Sequence, residues 1–141
     1  MWNLDDTSKY LKVHSFTFND VFTFGSCDDK GRREDIRKAA AKDFPKCINK
    51  DIKWWAFRIS VRTPSGGIDV DNIPKIIIDV FCKDQIKEDE SKYPNVCLFK
   101  DDTIEFVKIV EVGVIQDQEI KEEEKKKAKL TKVEIFGYIG K

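Results

Sequence analysis

Apolar positions along this chain keep two different periods, and the changes of period mark out its elements. From Lys53 to Arg62 the pattern alternates: Trp55, Phe57, Ile59 and Val61 fall on one side, with Trp54, Ala56, Arg58, Ser60 and Arg62 on the other. A period of two predicts a strand, here with one strongly apolar face and one mixed face, as in a sheet with one well-buried side. From Asp71 to Phe81 the apolar residues Ile73, Ile76, Ile77, Val80 and Phe81 recur at i, i+3, i+4, i+7 and i+8, which predicts a helix. Asp71 or Asn72 stands where an N-cap belongs, and Pro74 falls in the first turn, where its missing N–H costs little.

The remaining segments are read the same way. Residues 11–24 are rich in strand formers, with an apolar parity that changes between Val13 and Phe16 and leaves the strand ends undefined. After the turn signal Asp28-Asp29-Lys30-Gly31, the stretch from Arg32 to Phe44 predicts a helix. Ile36, Ala39, Ala40 and Phe44 share one of its faces, while Arg33, Arg37, Lys38 and Lys42 look elsewhere. Lys83 to Pro94 is polar and acidic and reads as a loop; Val96 to Phe99 is a short apolar run; residues 104–115 read as a long strand. Gln116 to Lys129 is a charge run, read as a solvated connection to a last strand from Leu130 to Ile139. The order strand, helix, strand, helix, strand, strand predicts an α+β fold: one domain over 1–141, a mixed sheet with two main helices packed on it.

Composition narrows the function classes. With 141 residues and 40% aliphatic and aromatic residues, the chain can bury a core without staples. Lys plus Arg equals Asp plus Glu at 26 each, so no global charge draws it to a polyanion, and such binding needs local clusters. Cys27, Cys47, Cys82 and Cys97 include no Cys-x-x-Cys pair and His14 is the only histidine, which disfavours zinc and suits reduced thiols in a cytoplasmic protein. The N-terminus lacks an apolar signal core, and no stretch approaches the ~20 apolar residues of a membrane span.

Candidate chemistry concentrates at two element boundaries. Asp71, Lys75 and Asp79 are spaced four apart and stack on one polar face of the predicted helix. Asp69 lies just before the helix and alternates with Asp71 around Val70, so in an extended turn both carboxylates face one side. A third carboxylate comes from Asp101 or Asp102, just before a strand. Magnesium or manganese takes one or two carboxylates together with water and phosphate, which fits such a set. Lys75, one turn past Asp71, is placed to meet a scissile phosphate. Taken singly, an Asp-x-Asp pair is ordinary cap and turn chemistry; the combination carries the argument.

Asp69-Val70-Asp71-Asn72-Ile73-Pro74-Lys75, then Asp79, then Asp101-Asp102-Thr103-Ile104 before a strand, resembles the RusA family of Holliday junction resolvases over roughly residues 55–112. The resemblance implies a homodimeric, magnesium-dependent endonuclease (with manganese as an alternative) acting on four-way junctions or other branched DNA. It implies Asp69, Asp71 and Asp102 as metal ligands, Lys75 as catalytic lysine, and Asp79 and Asp101 as supporting positions. DNA phosphates are then expected to meet Lys75, Arg58, Arg62, Arg33 and Arg37, and Trp54 or Trp55 to offer a stacking surface. Two other classes compete: a non-catalytic nucleic-acid-binding module on the same fold, and a metal-dependent hydrolase of a small substrate.

Overall fold

The computed structural model describes residues 2–23, 30–64, 66–88, 90–116 and 129–140. It is an α+β arrangement built on one four-stranded mixed sheet. The elements are β1 (Tyr10–Phe18), α1 (Lys30–Ala41), β2 (Trp54–Thr63), α2 (Asn72–Val80), α3 (Lys83–Glu88), a 3-10 turn (Pro94–Val96), β3 (Val107–Gln116) and β4 (Leu130–Tyr138). Strands lie in the order β1-β4-β2-β3. β4 pairs antiparallel with both β1 and β2, while β3 pairs parallel with β2 at the edge. A parallel pair needs a crossover, and α2 and α3 supply it. The charge run from Gln116 to Lys129 lies almost wholly outside the described residues.

The alternation of β2 sorts the molecule into two faces. Trp55, Phe57, Ile59 and Val61 are buried against Ile36 and Ala40 of α1 and Ile73, Ile76, Ile77 and Val80 of α2. On the other face a smaller cluster forms at one end, where Leu4, Tyr10, Ala56, Ile109 and Phe136 come together beside Trp54 and Tyr138. The parity change in β1 has a definite cause. A bulge between Lys12 and His14 leaves Val13 without a partner in the β4 register. Tyr10 and Lys12 therefore lie on the open face, while His14 and Phe16, of the same parity, join the helix side. His14 is a strand residue, with its Nε2 2.7 Å from the Ala40 carbonyl of α1.

Two expectations are corrected. The stretch read as a loop from Lys83 carries α3, anchored by the single buried residue Ile86. Arg37, read as facing away from the core, is fully buried: its Nε donates to the Val80 carbonyl at 3.3 Å and so caps the C-terminal end of α2.

Candidate active site at the α2–β3 cleft

Asp69 to Asn72 form a tight turn, not an extended one: the Asn72 N–H donates to the Asp69 carbonyl at 3.2 Å and the Ile73 N–H to the Val70 carbonyl at 3.4 Å. Asp71 occupies the N-cap with helical angles, φ −74° and ψ −18°, and its side chain makes no capping hydrogen bond. The helix thus leaves this carboxylate for other uses. In helical backbone, side chains two apart diverge by ~200°, whereas those four apart stack. Asp71 and Lys75 accordingly share an exposed stripe.

The second carboxylate source is brought in by backbone pairing. The Leu98 N–H donates to the Phe81 carbonyl at 3.0 Å and the Lys83 N–H to the Phe99 carbonyl at 2.8 Å, with Cys82 bridging Phe99. This lashes residues 97–100 to the end of α2 and delivers the next two residues beside it. Asp101 turns its Oδ1 back to accept from the N–H of the next residue, Asp102, at 2.8 Å, which holds its carboxylate against the backbone. Asp71, Pro74, Lys75, Ile78, Asp102 and Val110 line one cleft of about 260 Å³. Its floor is apolar, its rim charged, and its two carboxylates come from separate chain segments.

Asp79 lies behind this cleft. It is 4% exposed, lies against Asp102, and is 3.7 Å from the Arg33 guanidinium of α1. Burial first, and the Asp102 charge second, push its pKa from 3.8 up to about 6 against the opposing pull of Arg33 and Lys75. The neighbouring Cys82 thiol is also pushed up, by burial and then by Asp79 and Asp102, which makes it an inert core thiol.

The structure brings together Asp71, Lys75 and Asp102, with Asp79 touching Asp102. Asp69 is exposed and does not line the cleft, and Asp101 is exposed with its carboxylate engaged in the turn. Among the described residues no group of three or more His, Cys, Asp or Glu side chains stands ready to hold a metal ion. The donor set nonetheless suits a hard cation: it is all oxygen, and magnesium asks for one or two protein carboxylates with water and phosphate completing the shell.

The expected DNA contacts fare unevenly. Lys75 is exposed at the cleft. Arg58 and Arg62 project from the sheet face opposite α2, because they alternate with the buried residues of β2. Arg58 is moreover clamped on Glu134 at 3.0 and 3.1 Å and on Asp5 at 3.1 and 3.3 Å, which raises its pKa, and lies over the Phe136 ring. Arg33 points inward to Asp79 and to Gln85 Oε1, 2.8 Å away, and Arg37 is buried. The tryptophans are engaged as well: Trp54 stacks on Tyr138 at 4.4 Å and Trp55 is in the core.

Asp79 buried beside Asp102, with Arg33 behind it, is the arrangement that sequence reasoning missed. Asp79, expected on the polar face with Asp71 and Lys75, is buried; the signal was its place at the border of the apolar stripe, three residues after Ile76, where α1 packs over it. No protein-family model, curated protein or solved structure matches this chain.

Proposed function

We propose that this chain is a magnesium-dependent, structure-selective DNA endonuclease of the RusA type that hydrolyses phosphodiesters in Holliday junctions or other branched DNA, acting as a homodimer. One observation carries the proposal: Asp71 and Lys75 from one helix stripe and Asp102 from a separate turn line the same cleft. That juxtaposition gathers the residue types that metal-assisted phosphodiester hydrolysis needs, at the positions the motif resemblance assigns to them.

In this reading Asp71 and Asp102 hold the cation from two sides of the cleft. Asp79 steadies Asp102 from behind. Asp69, the further ligand that the resemblance implies, lies in the turn before α2 and does not line the cleft. Lys75 binds a non-bridging phosphate oxygen and offsets the charge that grows there in the transition state. The floor made by Pro74, Ile78 and Val110 lowers the local polarity and strengthens both interactions. When bound, magnesium would supply Lewis acidity toward the phosphate and toward the attacking water. Two such clefts related by a dimer twofold would nick two strands of a symmetric junction.

The test is cleavage of a labelled four-way junction. Wild-type protein is expected to nick it with Mg2+ or Mn2+ and not in excess chelator, while Asp71→Asn retains binding and loses cleavage. Robust cleavage by Asp71→Asn, or in chelator, contradicts the proposal. A non-catalytic nucleic-acid-binding module is the second reading, favoured by the absence of a ready group of three ligands among the described residues. It predicts junction binding that weakens steeply with salt and shows no metal-dependent turnover.

A further inference from the structure

Arg33 was expected on the surface of α1 as a phosphate contact, yet its side chain is only 16% exposed and turns toward the site from behind. One edge of the guanidinium faces Asp79 Oδ2 at 3.7 Å, and Nη1 donates to Gln85 Oε1 at 2.8 Å. Asp79 in turn lies against Asp102, which lines the cleft with Asp71 and Lys75. Side chains from α3, α1 and α2 thus form one continuous chain of polar contacts ending on the turn that carries Asp102.

We infer that Arg33 is a positioning residue, which through Asp79 fixes the place of Asp102 in the cleft. The physics is that of a buried relay. Asp79 is buried, and the Arg33 guanidinium is the α1 group set against it, itself held in place by Gln85. Without that support Asp79 loses its anchor, and Asp102, the exposed and less constrained partner, loses the neighbour that fixes it beside Asp71. The planar fork of arginine can meet Gln85 and Asp79 together, whereas a lysine ammonium is a point charge that meets one of them well. Arg33 itself does not line the cleft. Its catalytic consequence rests on the proposed endonuclease activity; its structural consequence does not.

The experiment compares wild type with Arg33→Met, Arg33→Lys and the milder Gln85→Leu. It reads junction cleavage with Mg2+, junction affinity, and residue-resolved hydrogen exchange by NMR over residues 100–104. The inference predicts that Arg33→Met lowers kcat at saturating Mg2+ by tenfold or more with junction affinity within twofold of wild type. Arg33→Lys recovers part of the loss, and Gln85→Leu shows a smaller loss of the same kind. Exchange at Asp102 and Thr103 quickens at least tenfold in Arg33→Met while the β1–β4 pairing stays protected. Weakened affinity with kcat unchanged makes Arg33 a phosphate contact and overturns the inference, as does unchanged exchange over 100–104. If wild-type protein fails to cleave any junction, the endonuclease proposal falls, and the exchange arm alone decides the role of Arg33. Should Arg33→Met fail to fold, Gln85→Leu decides by the same readouts.

Discussion

Glu134 on the open face of the sheet and Asp79 behind the cleft are almost equally buried, at 6% and 4% exposed, and they titrate in opposite directions. Glu134 meets Arg58 through two nitrogens at 3.0 and 3.1 Å and Lys12 at 2.6 Å, and the Arg58 hydrogen bonds above all hold its pKa down, to about 2. Asp79 has one guanidinium at 3.7 Å and a second acid for a neighbour, and its pKa rises to about 6. Burial raises a carboxyl pKa in both places; the number, geometry and sign of the partners decide which way each group ends up. The first carboxylate is satisfied and ties β1, β4 and the N-terminal segment together. The second is under-compensated beside a cleft, the pattern that functional sites share more often than structural ion pairs do.

Substitutions can break this contrast. The largest expected effect on stability comes from Arg58→Ala, which leaves Glu134 buried with only Lys12: a loss of about 2–3 kcal/mol, seen as a Tm lower by about 10 °C in thermal unfolding at pH 7. Asp79→Asn should act with the opposite sign, stabilising the fold by about 1 kcal/mol at pH 8 because the penalty of ionising a buried acid disappears. A Tm that falls in Asp79→Asn by as much as in Arg58→Ala would erase the distinction between the two sites.

Their pH windows sharpen it further. Asp79 holds its proton more tightly folded than unfolded, so its contribution is present below pH 4 and is lost as pH rises from about 4 through about 6. Glu134 is the reverse: its contribution is present above pH 4.5 and is lost as pH falls toward about 2. Stability against pH should therefore flatten between pH 4 and 6 in Asp79→Asn and flatten below pH 4.5 in Glu134→Gln, as followed by chemical denaturation. The smallest effect belongs to Lys12→Ala, whose side chain is half exposed: under about 1 kcal/mol, shrinking with added salt.

The elements that could be read in advance are those that bury one whole face. The β2 alternation and the α2 stripe repeat over nine or ten residues, and burial follows the period almost residue by residue. β1 shows the limit of that method: its parity change was visible, but a bulge at Val13, which carries His14 from one face to the other, is a property of its pairing with β4. α3 has a single buried apolar anchor, Ile86, and one anchor has no period. Arg37 was misplaced because charged side chains default to the surface; only the tertiary approach of the end of α2 gives it the Val80 carbonyl as a partner. For the cleft, spacing four apart on α2 put Asp71 and Lys75 on one stripe, and the motif put Asp102 with them. The divergence of Asp69 followed from the turn being helical in hand, which alternation around Val70 does not reveal.

The central claim is that Asp71 and Asp102 grip one hard cation between them across the cleft. Calorimetric titration of Mn2+ into wild type, Asp71→Asn, Asp102→Asn and the double variant tests it without reference to any substrate. One site should be present in wild type, weakened at least tenfold by either single substitution and weaker still or lost in the double variant. Wild-type affinity in either single variant would mean that the two aspartates do not share an ion.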